Sequence, residues 1–262
     1  MFMAAFWVGS AQAATATRVQ LDELTWTELK VRIAAGATTV LVPLGGTEQN
    51  GPHMALGKHN VRVRLLAAQI ADRLGNAIVA PVIAYVPEGN IEPPTQHMRF
   101  PGTISVPVPV FEATLEAAAR SFKQHGFRDI VFLGDHGGYA ASMERVAARL
   151  NREWRADPSA RVHALGEYYR AAQTPYADML KARGLSVDEI GSHAGAADTS
   201  LMLALDPGLV RLDVAVVRQP GTVGDGVVGD PRRSSVELGQ VGVERVVAAS
   251  VAALRERTGA PR

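Results

Sequence analysis

Short apolar runs alternate with longer amphipathic stretches along this chain. Residues 38–44 (TTVLVPL), 77–86 (AIVAPVIAYV), 129–133 (DIVFL) and 161–165 (RVHAL) are apolar almost throughout. Such runs predict strands buried on both faces, as in a parallel sheet. Residues 61–74, 110–126 and 140–155 carry apolar positions at helical spacing, and 235–257 closes the chain in the same way. Strands separated by helices predict right-handed crossovers and one three-layer α/β/α domain with a mostly parallel central sheet. Ligands of such sheets bind beyond the carboxyl ends of the strands.

Composition adds exclusions. The 262 residues are 47% hydrophobic and 20% charged, with a net charge of +1. That suits one large globular domain. No basic stripe marks a nucleic-acid surface, and no apolar run reaches the length of a membrane span. The chain has no cysteine, which rules out disulfides and thiolate metal sites. Its first fourteen residues are apolar, then small, with Ala-Gln-Ala near their end. This fits a secretory signal cleaved after Ala13 or Ala14, although the basic start is missing and a start codon upstream of Met1 would supply it. The expectation is a signal peptide over 1–14, a single domain over 15–262 and a place in the bacterial periplasm. The alternative is an extension that packs on a neighbour, which leaves the protein cytoplasmic.

Ligand-type side chains gather in four segments: 47–59 (TEQNGPHMALGKH), 96–105 (QHMRFPGTIS), 132–142 (FLGDHGGYAAS) and 191–207 (GSHAGAADTSLMLALDP). Glu48 and His136 both follow predicted strand ends, so one crevice can receive both. Each residue alone also has a plainer explanation. His136 suits a tight strand-to-helix turn facing solvent, Asp198 suits a helix N-cap, and His193 suits a hydrogen-bonded core histidine.

Together the segments resemble the creatininase (creatinine amidohydrolase-like) family. The matching stretches are GGTEQNGPHMALGKH, His97 with Phe100-Pro101-Gly102-Thr103, Gly134-Asp135-His136-Gly137-Gly138-Tyr139, and His193-Ala194-Gly195-Ala196-Ala197-Asp198-Thr199-Ser200. The resemblance implies a three-layer α/β/α fold, a homo-oligomer, commonly a hexamer, and usually two metals. It implies metal binding by Glu48 and His136. It also shows departures: Asn50 stands where the family has a second ligating His, His59 where it has a bridging Asp, and Gly138 where creatininase has a Glu. An imidazole cannot bridge two cations as a carboxylate does, and an amide oxygen is a poor zinc ligand. The expectation is therefore one divalent metal on Glu48, His59 and His136, zinc first, with iron or manganese next. His193 is expected to transfer protons, with Asp198 orienting water or His193. Asn50, His53, His97, Tyr139, Tyr168 and Glu189 are expected to line the substrate pocket. The expected activity is metal-dependent hydrolysis of a small polar amide, cyclic or N-formyl. Creatinine itself is disfavoured because the family's tryptophans fall here at Glu189 and, approximately, Tyr168. The alternatives are a non-hydrolytic binding protein or metal-free pseudoenzyme, and a metal-assisted isomerase or lyase on the same site.

Overall fold

The computed structural model describes residues 18–259 apart from 158 and 220. The expected signal segment 1–14 lies outside the described residues. Four strands, β1 (Thr39–Leu44), β2 (Ala77–Val79), β3 (Asp129–Gly134) and β4 (Arg161–Ala164), form one parallel sheet in the order β2-β1-β3-β4. The helices in chain order are α1 (Trp26–Ala34), α2 (Lys58–Leu74), α3 (Val108–Gln124), α4 (Ala140–Glu153), α5 (Gly166–Ala172), α6 (Thr174–Lys181), α7 (Val187–Ile190), α8 (Ala196–Leu205), α9 (Leu212–Val217) and α10 (Val236–Thr258).

Successive strand residues point to opposite faces, and the two cores follow that alternation. Val40, Val42, Ile130 and Phe132 meet Phe111 and Leu115 of α3 and Met143, Val146 and Leu150 of α4. Leu41, Val131 and Leu133 meet Val63, Leu66 and Ile70 of α2, Tyr168 of α5 and Val246, Val247 and Val251 of α10. Full burial of each large apolar side chain contributes roughly 1.5–3 kcal/mol. Both faces are covered, and the three-layer α/β/α expectation holds. Gly239 lets α10 approach α8, because a Cβ there would come within 1.8 Å of the Ser200 carbonyl oxygen. Among the described residues no helix is long and apolar enough to cross a membrane.

Two boundaries differ from the sequence pattern. The apolar run 77–86 was expected to be one strand, but β2 stops at Val79. Pro81 fixes its own backbone angle and has no N–H for the edge where the Val79 N–H meets the Val19 carbonyl. Beyond it the chain stays near β1 through Ile83 N–H to the Pro43 carbonyl, then leaves the sheet. α2 begins at Lys58 rather than at 61, so Lys58 and His59 stand in its first turn. Both differences move chemical groups to the carboxyl ends of the strands.

Candidate metal centre

Gly45, Gly46 and Thr47 carry the chain from β1 to Glu48, while β3 runs straight into Asp135 and His136. Tyr139 ties the two exits together. Its hydroxyl accepts from the backbone N–H groups of Asp135 and His136, both at 3.1 Å, and donates to the Leu44 or Gly45 carbonyl, each 2.7 Å away. The segment beyond β2 brings Glu88 against the same turn. A Cβ at Gly46 would lie 2.5 Å from Glu88 Oε1, so only glycine admits this carboxylate.

Ligand-type atoms of Glu48, Glu88, His97 and His136 all lie within 4.8 Å of one another. His136 sits between the two carboxylates, its Nε2 3.7 Å from Glu48 Oε2 and its Nδ1 3.6 Å from Glu88 Oε2. His97 Nε2 is 3.2 Å from Glu48 Oε2. Glu48 and Glu88 are buried, and Glu48 Oε2 and both oxygens of Glu88 have no hydrogen-bond partner among the described residues. Buried carboxylate oxygens without partners are costly. Burial and the neighbouring Glu48 push the Glu88 carboxyl up to about 9. Burial alone would also raise Glu48, but the His59 hydrogen bond and the charges of His59 and Lys58 hold it below the usual range. The pair therefore takes up one proton or a cation. Burial drives His136 down to about 3, so its ring is neutral and one of its nitrogens can ligate. Two carboxylates and two imidazoles around three partnerless oxygens fit a divalent cation of the zinc, manganese or iron type.

Behind this cluster lies a buried charge network. His59 spends Nε2 on Glu48 Oε1 (2.8 Å) and Nδ1 on Asp135 Oδ2 (2.6 Å). Arg62 donates to Asp135 and, at 2.6 Å, to Asp198 Oδ1. Lys58 Nζ lies 3.2 Å from Asp198 Oδ2, and Tyr168 donates to Asp135 Oδ1 at 2.7 Å. Burial opposes ionisation of Asp135 and Asp198, but Arg62 beside Asp135, and Lys58 and Arg62 beside Asp198, hold both carboxyls low.

On the open side, His193 Nε2 donates to the Gln49 carbonyl at 2.9 Å. That bond leaves Nδ1 as the free acceptor, 3.8 Å from Glu48 Oε1. Burial takes His193 down to about 4. The Gln49 side-chain amide sits 3.0 Å from His97 Nδ1 and 3.1 Å from the Gly226 carbonyl, tying both histidines to the 218–230 loop. Among the described residues two that are not glycine adopt left-handed backbone, Gln96 (φ 49°) and Ala194 (φ 55°). Each adjoins a site histidine, and strain of this kind concentrates at functional positions. A cavity of about 210 Å³ opens beside His193 and Asp198, bounded by Gln173, Thr174 and Ser192.

A family model described as creatinine amidohydrolase matches residues 22–254. The chain belongs to the creatininase family. A creatinine amidohydrolase of Pseudomonas putida is 30% identical over 208 residues, 78% of each chain. A mycofactocin precursor peptide peptidase of Mycolicibacterium smegmatis is 28% identical over 222 residues, 77% of this chain and 78% of that one. Among solved structures, a manganese form of creatininase superposes with a TM-score of 0.76 at 30% identity, covering 93% of this chain and 99% of that one. A mutant creatininase described as the Zn-Zn type gives 0.75 at 29%, covering 94% and 100%. The family is one of amidohydrolases, and the sheet order and layering here are its fold.

Within this creatininase frame the expected residues separate into groups. Glu48, His97 and His136 converge with His193 nearby. His59 and Asp198 stand one layer behind, with their polar atoms engaged as described. Tyr139 and Tyr168 were expected to line the pocket, but both are completely buried and their hydroxyls are spent on backbone and Asp135. Tyr169, one residue on and a hundred degrees around α5, instead lays its ring against the Gly137 turn. Asn50 is buried, donating to the Glu48 and Ala55 carbonyls. His53 pairs with Thr199 through Nε2 at 2.9 Å, under the Ala194 turn. Glu189 was also expected in the pocket; it caps α7 through Ser186 and pairs with exposed Arg233. Glu88, Lys58, Arg62 and Gln49 were not singled out from the sequence. Glu88 carried a readable signal, since it follows an apolar run just as Glu48 and His136 do.

Proposed function

We propose that the protein is a metal-dependent amidohydrolase that holds one divalent cation on Glu48, Glu88, His97 and His136. The observation that carries this reading is the pair of buried carboxylates whose three partnerless oxygens face two neutral imidazoles. A charge count supports a single ion. Three buried acids, Glu48, Glu88 and Asp135, and the part-buried Asp198 stand against Lys58, Arg62 and His59, whose two ring nitrogens lie on Glu48 and Asp135, which leaves a deficit of one. One divalent ion offsets that deficit, whereas two would leave a much larger excess of positive charge in the interior.

A divalent cation in such a site polarises an amide carbonyl and lowers the pKa of water to roughly 7. The chain's own residues supply the rest. His193 is neutral, and its Nδ1 faces Glu48, so it takes a proton at the site and hands it to the leaving nitrogen. The Gln49 carbonyl fixes the tautomer of His193, and the Gln49 amide orients His97. Asp198 accepts from the Ala194 N–H at 3.0 Å and so holds the strained turn that presents His193. His59, clamped by Asp135, orients Glu48 as an outer partner.

The substrate we assign is a small polar amide, cyclic or N-formyl, rather than creatinine. The modest cavity beside His193, with no tryptophan at its edge among the described residues, supports this. Elemental analysis of untagged protein tests the metal, with about one equivalent of zinc, manganese or iron expected. A screen of cyclic amides, N-formyl compounds and short peptides tests the reaction, and chelation should abolish turnover that metal then restores. Turnover unaffected by complete metal removal would overturn the reading.

A further inference from the structure

A second cavity, of about 760 Å³, lies against the one beside His193. The two share a wall of Ala177 and Lys181 from α6, Ile190 from α7, and Gly191 and Ser192. The second is a groove between α7 and the chain from Thr222 to Gly229, and none of the proposed cation ligands lines it. Val187, Val223 and Val228 border it at 67%, 90% and 59% exposure, with buried Ile190 beside them. Exposed apolar side chains gathered in one concavity mark ligand contact rather than a solvated face. The groove is also fastened to the His193 segment. The Ser192 and His193 N–H groups donate to the Val228 carbonyl at 2.9 and 3.2 Å, and the Val228 N–H donates to the His193 carbonyl at 2.8 Å. Glycine permits this approach: a Cβ on Gly191 would come within 2.1 Å of the Val228 carbonyl oxygen, and one on Gly229 within 2.6 Å of Gly195 Cα. Groove and proton-transfer residue therefore keep a fixed spacing.

We propose that this groove is a specificity site for the aliphatic group on the nitrogen of a linear N-formyl amine. This rests on the amidohydrolase reading given above. His193 joins the two halves: it lines the smaller cavity, and its Nδ1 lies 3.8 Å from Glu48 Oε1. In that reading His193 protonates the leaving nitrogen, so the nitrogen sits on the His193 side and the carbonyl on the side of the buried carboxylates. The acyl part must then be small, and whatever the nitrogen carries runs past Ile190 and Gly191 into the groove. Water adds across the C–N bond and releases formate and the protonated aliphatic amine. A small cyclic amide would end inside the 210 Å³ cavity and give the three valines no role.

The test compares N-isobutylformamide with N-methylformamide by NMR titration of the untagged protein, zinc-loaded and stripped. Wild type should bind the isobutyl compound about tenfold more tightly, the increment that a few partly buried methylenes supply. Val187→Asp and Val223→Asp put a charge into the groove from two separate elements. Both positions are exposed, so the fold is spared, which circular dichroism checks. Each substitution should bring the ratio of the two dissociation constants close to unity. Equal affinities in wild type, no binding of either amide, or a preference that survives both substitutions overturns the proposal. A lower sedimentation mass in either variant also overturns it, since the groove would then seat a second copy of the chain. The preference should be the same with and without zinc, because no proposed ligand lines the groove. A preference found in protein that takes up no zinc would sink the metal reading and leave the groove assignment supported.

Discussion

Replacing Glu88 by Gln probes the centre from two directions at once. The substitution keeps the shape and removes the charge. In metal-free protein the Glu48–Glu88 pair holds a proton that the unfolded chain has lost, because Glu88 is raised from 4.5 to about 9. The sign follows directly. A carboxyl raised on folding adds no penalty below its unfolded value, and its penalty grows as pH rises from there toward the folded one. From 4.5 to pH 7 is two and a half units at about 1.4 kcal/mol each, on the order of 3 kcal/mol. Stripped Glu88→Gln should therefore melt roughly 5–10 °C above stripped wild type at pH 7, with the gap closing near pH 5. Adding Zn²⁺ should reverse the order, since the variant loses a ligand and the wild type gains an ion. Differential scanning calorimetry at pH 5, 7 and 8, with and without zinc, reads both effects. Equal melting temperatures of the stripped proteins at pH 7 and 8 would refute the argument that the carboxylate pair is under electrostatic load.

Other expectations follow from the same geometry. His193→Ala should lower kcat by about 10²–10⁴ while retaining the metal equivalent, as shown by steady-state kinetics with elemental analysis. Tyr139→Phe leaves the His136 N–H without its partner, the Asp135 N–H keeping the Leu44 carbonyl, and should cost about 1–3 kcal/mol, measured by urea unfolding, with weaker metal binding because both strand exits loosen. Asp135→Asn removes the negative charge that Arg62 and His59 share, leaving Arg62 only Asp198, and should cost about 3–5 kcal/mol, again by urea unfolding. Light scattering should give a multiple of the 27.9 kDa chain mass, a hexamer for choice; a single-chain mass at micromolar concentration would count against assembly.

Local pattern alone settled the layers. Apolar runs at 38–44, 129–133 and 161–165 have few alternatives to buried parallel strands, since continuous burial of both faces leaves only apolar side chains acceptable. The same reading put Glu48 and His136 at neighbouring strand ends, because parallel strands all finish on one side. Tertiary structure decided what meets them. Pro81 interrupts the second apolar run, and the chain beyond it carries Glu88 over β1, a departure from the strand that a hydrophobicity pattern does not register. Tyr168 and Tyr169 are equal candidates in the sequence, and only the rotation of α5 sends the first into the core and the second toward Gly137. His59 reads as a ligand by its type and spacing, yet Asp135, seventy-six positions away, claims one ring nitrogen and Glu48 the other. Partners so distant along the chain are chosen by how sheet and helix pack, and no local periodicity encodes them.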